Sequence, residues 1–419
     1  MIKEKTNIKI YFLSWLIALS FLLRLVTVYF YRDMDLYSLN VNEWNILLQN
    51  LIKYESYSFY IFDNQLIPSV YMPPIYPFFL YLIKVLTSFE KVNLLYTIIF
   101  IQIVLSTYSV YLFYQINQNF FSNKLSLINS IIFSIIPLNV YVCGQISSVN
   151  LQIIFSLLFL KFLLLLMDKE KISNIIFFSI VSGLLILTRS EFILIFIIII
   201  LFSIFNKKIK LINLTKIILI VSLVISPYVI RNYVHFNQIL LVKSLGYNLW
   251  KGNNELSLVQ GYENFENYKF KKLESQLNNL KKNKYYELSR DNIFLNEAIN
   301  NLTKNPLRYL NLFFKKFFSF YFIDLNSTYP NYYNFFNIFP ATILAILSFL
   351  GLFIFFEKKN IKHNYLALYL FSNLIIFSIF FILPRYKLII LPIQIMIATH
   401  FIVYFLKKIT TTKKKINFN

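Results

Sequence analysis

Residues 172–210 read ISNIIFFSIVSGLLILTRSEFILIFIIIILFSIFNKKIK. Ahead of Lys207, its only charges are Arg189 and Glu191, set between two long apolar runs. A bilayer core takes about 20 mostly apolar residues per helix, and a charge at its centre costs about 2.5–3.5 kcal/mol on insertion scales. The stretch therefore predicts two membrane crossings, 173–188 and 191–205, joined by a polar turn at 188–191 and closed by the basic turn of Lys207, Lys208 and Lys210.

The same rhythm runs through the whole chain. Apolar runs recur near 9–30, 93–114, 125–143, 149–167, 211–230, 335–356, 365–383 and 387–406, giving about ten crossings. Two further pieces, 73–90 and 307–323, open with clustered prolines or carry Lys315 and Lys316 within the run, and read as re-entrant or interfacial helices. Of 419 residues 58% are hydrophobic and 14% charged, with a mean hydropathy of +0.59; soluble domains average about 25% charged residues. The expected fold is an all-α polytopic membrane protein, a bundle of about 10–12 transmembrane helices.

The net charge of +22 would suggest nucleic acid in a soluble protein, yet the lysines gather in short turns. Lys3, Lys5 and Lys9, the 207–210 turn, Lys358, Lys359 and Lys362, and the lysines of 407–415 follow the positive-inside rule and belong in the cytoplasm. No nucleic-acid partner is expected. This topology divides the chain into a cytoplasmic N-terminus and first span (1–30), a first extracytoplasmic loop (31–72), a transmembrane core (73–231) and a second, partly helical extracytoplasmic loop (232–306). An interfacial helix with the C-terminal spans (307–406) and a basic cytoplasmic tail (407–419) complete it. The first span lacks a small-residue cleavage site and reads as an anchor rather than a signal peptide. One cysteine, Cys143, precludes an internal disulfide, and His235, His363 and His400 stand apart rather than in a metal-ligating cluster.

Each loop carries one helical pattern. Trp44, Leu47, Leu48 and Leu51 share a face, which suits a short amphipathic helix on the outer leaflet. In the second loop, 285–303 places apolar residues at three- and four-residue spacings until Asn305–Pro306 ends them. Arg189, Arg231 and Arg385 all fall near the outer face, where guanidinium groups can grip a lipid phosphate through paired hydrogen bonds; Arg24, inside the first span, reads as structural. Asp33, Asp35, Glu43, Glu55 and Asp63 are the first-loop carboxylates that could take a proton from an acceptor hydroxyl.

The order of these elements resembles the bacterial GT-C membrane glycosyltransferases, the group of protein O-mannosyltransferases and the lipid A aminoarabinose transferase. YMPPIYP at 71–77 looks like the family's Arg-Pro-Pro-Leu-Tyr-Pro, and GLLILTR at 183–189 is similar to its Gly-Leu-Ala-x-Leu-Thr-Arg. PYVIRNYVHFNQILLVKSLGYNLWKGNN at 227–254 resembles Pro-Trp-x-x-Arg-Asn-Tyr followed by Asn-Leu-x-x-Gly-Asn, and PRYKLIILP at 384–392 resembles the closing Arg-Tyr-x-x-Pro-x-x-Pro. Arg290-Asp291, Glu297-Ala298, Asn305-Pro306 and Arg308-Tyr309 follow the family's series on its outer helix.

The resemblance implies transfer of a hexosyl or pentosyl group from a polyprenyl-phosphate sugar to an extracytoplasmic lipid, glycan or protein, at the outer face of the cytoplasmic membrane. No cofactor is required, with room for a divalent metal. The donor phosphate would lie against Arg189, Arg231 and Arg385, with Tyr76, Asn150, Asn232 and Asn253 lining the site. The family's catalytic acid falls on Asn40, an amide that cannot accept a proton, so the role passes to Glu43 or Asp35. Met72 likewise replaces a basic residue. These departures keep open a flippase or polymerase of lipid-linked sugars, or a non-catalytic envelope-assembly protein.

Overall fold

The computed structural model describes residues 2–31, 43–88, 91–265, 267–328, 332–357 and 360–416. Asp33, Asp35 and Asn40 lie outside them. The chain opens with α1 (Ile2–Tyr31), followed by α2 (Glu43–Tyr54) and the hairpin β1 (Ser58–Phe62) and β2 (Gln65–Pro68). Next come α3 (Ile75–Thr87), α4 (Lys91–Asn117), α5 (Asn123–Ile135) and the short α6 (Pro137–Tyr141). The bundle continues with α7 (Val149–Asp168), α8 (Ile172–Thr188), α9 (Phe192–Asn206) and α10 (Leu211–Phe236). The second loop folds as α11 (Leu245–Gly252), α12 (Lys271–Asn278) and α13 (Tyr286–Lys304); α14 (Pro306–Tyr321), α15 (Phe335–Glu357), α16 (Ile361–Ile379) and α17 (Leu391–Ile416) close the chain.

The molecule is a multi-pass helical membrane protein, with fewer full-length spans than the sequence suggests. Among the described residues six helices are long and apolar enough to cross a bilayer, in α1, α4, α7, α10, α15 and α17. A seventh appears if α5 and the piece after it, bent by 62°, count as one. α8 and α9 have 17 and 15 residues. At 1.5 Å per residue they reach roughly 22–26 Å, short of a 30 Å hydrocarbon core. The two runs of the opening stretch are thus two short apolar helices that meet at the 188–191 turn. α3, with 13 residues, is shorter still.

The core sits on α7, which packs between α4 and α8 and buries residues all round. Gly183 lets α8 close on α10, where a Cβ would collide with Val224. The break between α5 and α6 at Pro137 frees helix-terminal carbonyls inside the bundle, where an unpaired carbonyl is costly. Arg24, fully buried, donates to Ser134 O (3.3 Å), Ser106 Oγ (2.8 Å) and Ser20 Oγ (2.6 Å). Asn139 Nδ2 donates to Phe133 O at 2.8 Å. The buried arginine of the first span is therefore a cap for a broken helix.

The two long loops pack on each other at one end of the bundle, called here the loop face. α2 buries Leu47, Leu48 and Leu51 in the protein, against α3 and its neighbours, rather than in lipid. The β1–β2 hairpin is absent from the sequence reading. Asp63 and Asn64 turn it with positive φ at both positions (48° and 63°), as a two-residue type I′ turn requires. α13 matches the expected helix to within one residue at each end, although its buried face carries Glu287 and Asp291 beside Leu288, Phe294 and Ala298. At the opposite end, Lys362 pairs with Asp168 (2.7 Å) and Glu170 accepts from Lys210 N and Asn213 Nδ2, which brings three of the short turns together.

Candidate active site

A cavity of about 490 Å³ opens on the loop face, walled by α2, the 71–73 segment, the 145–149 turn, the α8–α9 hinge, α11 and the end of α16. Its charged lining consists of three carboxylates, Glu43, Glu191 and Glu263, and three cations, Arg189, Lys251 and Arg385.

Glu43 is the first residue of α2. The helix is fixed by its buried leucines and by Asn50 Nδ2 donating to Ser58 O (2.7 Å), while Trp44 sets its edge against the buried Tyr76 ring at 5.0 Å. Glu43 keeps its surface open to the cavity, yet the surrounding protein displaces enough water to hold its carboxyl above the ordinary 4.5. Lys251, Arg290 and Arg385 oppose that shift, and Glu263 adds to it.

Arg189 caps α8, its N–H donating to Leu185 O, and its guanidinium lies 4.6 Å from the Tyr386 ring centre and 5.6 Å from that of Phe377. Its Nη2 stands 3.3 Å from Glu191 Oε1. Lys251 lies 5.0 Å from the Phe381 ring centre and 2.5 Å from Glu263 Oε2, which also accepts from Tyr247 OH at 2.5 Å. Burial alone would raise the Glu263 carboxyl, but these two hydrogen bonds hold it below the usual range. Arg385 belongs to the 3-10 turn Pro384–Ile389 and makes no hydrogen bond or ion pair with any described residue. Two of the three cations are thus paired locally, whereas Glu43 and Arg385 face the cavity, each within the other's field but in no ion pair among the described residues.

Of the residues proposed from sequence, the structure gathers Glu43, Arg189 and Arg385 in the cavity. It puts the others elsewhere. Arg231 donates to Ser69 O (2.6 Å), Tyr57 O (3.0 Å) and Asn232 Oδ1 (2.8 Å). Asn232 returns its amide to Leu240 O and Leu241 O. Tyr76 donates to Gln102 Oε1 (2.9 Å), and Asn150 holds the Val142 carbonyl. Asn253 bridges Leu249 O and Ile379 O and accepts from the buried Lys316. Each of these five supports the scaffold and lies outside the lining. The Asp35 alternative falls among residues not described.

The segment Ser69–Tyr71–Met72 that forms one wall is tied from several directions. Glu287 accepts from Ser69 Oγ (2.8 Å) and Val70 N (2.6 Å), Lys243 N donates to Val70 O (2.7 Å), and the hydroxyls of Tyr57 and Tyr228 both donate to Met72 O. Arg231→Ala should therefore act through this wall. Loss of two charge-assisted hydrogen bonds to backbone predicts destabilisation of about 2–4 kcal/mol, read as a lowered thermal midpoint in detergent. A donor-binding residue would instead leave the midpoint unchanged.

Lys251, Tyr247 and Glu263 were missed by sequence reasoning. Lys251 sits inside the NLWKGN run that carries the family resemblance, so the motif marked the place without marking the residue. No group of three or more metal-ligating side chains occurs among the described residues.

Residues 72–231 match the family described as dolichyl-phosphate-mannose-protein mannosyltransferase. The fold is similar to the archaeal oligosaccharyltransferase AglB from Archaeoglobus fulgidus, solved with an inhibitory peptide and a dolichol-phosphate, at a TM-score of 0.60. The two chains are 12% identical over 99% of this chain and 52% of that one. This is a GT-C fold. The chain spans about half the length of the archaeal protein it matches, and no curated protein matches it by sequence. The matched 72–231 segment contains Arg189 and the wall residues Met72 and Pro73, whereas Glu43, Lys251 and Arg385 come from outside it.

Proposed function

We propose that this protein is a membrane glycosyltransferase that moves a sugar from a polyprenyl-phosphate donor to an extracytoplasmic acceptor. The GT-C fold and the family match support lipid-linked sugar transfer in general. The observation that carries the reading is the pair left over in the cavity: a carboxylate with raised proton affinity and a guanidinium that forms no ion pair among the described residues, facing one space under both loops. A volume near 490 Å³ falls within the usual range of about 300–1,000 Å³ for small-ligand sites.

In this reading Arg385 binds the donor phosphate through its fork of N–H groups, and Glu43 receives the proton of the acceptor hydroxyl. The acceptor oxygen bonds to the anomeric carbon as the bond from that carbon to the phosphate oxygen breaks, with inversion. Polyprenyl phosphate leaves with the electron pair, held by Arg385 where its charge grows.

The decisive experiment places the purified full-length protein in vesicles with a labelled polyprenyl-phosphate hexose and an envelope lipid extract. Sugar appearing on an acceptor with stoichiometric release of polyprenyl phosphate is the expected result. Movement of intact donor across the bilayer without cleavage would replace the transferase with a flippase.

A further inference from the structure

The cavity contains a second anion-binding arrangement that the proposed transfer does not use. α11 is wedged at both ends: a Cβ at Gly246 would collide with the Asp291 carbonyl and one at Gly252 with the Phe380 carbonyl. Trp250 is fully buried between them, and Tyr247 N is bonded to Asp291 Oδ1 at 2.9 Å. Tyr247 and Lys251, one helical turn apart, are therefore two donors held at fixed spacing on a rigid element. Both point at one atom, Oε2 of Glu263, at 2.5 Å each.

The acceptor is held differently. Its loop is anchored on both sides: Tyr262 N–H donates to Lys251 O (2.9 Å), Gly261 makes the close approach with a φ of +79°, and Phe265 stacks on Trp250 at 5.3 Å. Between these anchors the Glu263 side chain is 51% exposed, against 18% for Lys251. Rotating it into solvent needs no backbone movement and little rehydration, because half of it is already in water. A carboxylate on a movable side chain, filling two donors on a fixed helix, has the geometry of an internal stand-in for another oxyanion.

We propose that Lys251 and Tyr247 form a second anion subsite that takes a phosphoryl group of the substrate in exchange for the Glu263 carboxylate. The inference rests on the transferase reading and deepens it, since it requires the substrates to carry a second phosphoryl group besides the one at Arg385. Lys251 and Arg385 both line the cavity, Lys251 over the Phe381 ring and Arg385 next in the chain to Tyr386, and these two rings stand 6.2 Å apart, so the two subsites share one aromatic wall. That group is either the second phosphate of a diphosphate-linked donor or a phosphate on the acceptor.

The test measures binding to the full-length protein in nanodiscs, by tryptophan fluorescence, of three probes: a polyprenyl monophosphate, a polyprenyl diphosphate, and inorganic phosphate added with the monophosphate. Glu263→Ala is expected to tighten the second-phosphate probe about five- to tenfold, the size of one half-exposed charged pair released from competition. Glu263→Gln, which preserves shape, should give a smaller gain, and Lys251→Met should weaken that probe. Tightening of the diphosphate places the second phosphate on the donor; tightening of inorganic phosphate alone places it on the acceptor.

The inference is overturned if Glu263→Ala tightens neither probe, or if the gain persists in the Lys251→Met/Glu263→Ala double variant, which would reduce it to unspecific charge removal. Monophosphate binding that depends on Arg385 while Glu263→Ala has no effect would sink this subsite alone. Absence of monophosphate binding would sink the transferase reading.

Discussion

Glu43→Gln is expected to lower the rate of sugar transfer by about 10²–10⁴-fold, the range that a positioned general base contributes, while donor binding changes little. The amide keeps the size and the place at the start of α2, so the leucine face that seats the helix is untouched. What disappears is the proton acceptor. The pH profile provides the second readout. A carboxyl whose proton affinity is raised by burial is protonated over a wider acidic range, so activity should fall on acidification at a pH above the ordinary 4.5 of a carboxyl. That acidic limb should vanish from the residual activity of Glu43→Gln. Full activity in this variant would move the role to another first-loop carboxylate, of which Asp35 is the nearest in the sequence.

Arg385→Ala is expected to cost about 10- to 100-fold in kcat/KM, the worth of one to two charge-assisted hydrogen bonds to a phosphate. Because negative charge accumulates on the leaving phosphate, part of the loss should fall on kcat rather than on KM alone. Arg385→Lys keeps the charge but not the planar fork, and should restore binding better than turnover. Arg189→Ala should be milder, since Glu191 already holds that guanidinium at 3.3 Å. Equal losses at Arg189 and Arg385 would mean that the donor breaks the Arg189–Glu191 pair on entry.

Much of the fold was legible because its signals are local. The 3.6-residue periodicity of 285–303 and of 44–51 gave α13 and α2 nearly to their ends. The break at 188–191 was legible from its charges, whereas apolar composition registers hydrophobic content but not the bend at Pro137. The hairpin's only local cue is Asp63-Asn64 between Ser58–Phe62 and Gln65–Pro68, two strands too short to show a clear alternation.

The site was only half legible, for a physical reason. Sequence put Arg189, Arg231 and Arg385 at one depth, but whether a guanidinium faces a cavity depends on helix rotation and on which carbonyls nearby lack donors. The carbonyls of Tyr57 and Ser69 lie within reach of Arg231 and claim it, while no comparable group among the described residues reaches Arg385. In the same way Lys251 acquires meaning only when α11 is folded against α13.

The bond between Ser69 and Glu287 joins residues 218 positions apart. A ribosome extends the chain at about 5–20 residues per second, so the segment carrying Tyr71 and Met72 waits on the order of ten seconds or more for its partner to emerge. Nascent protein must therefore pass through a stage in which several helices have inserted but the reaction chamber has no completed side.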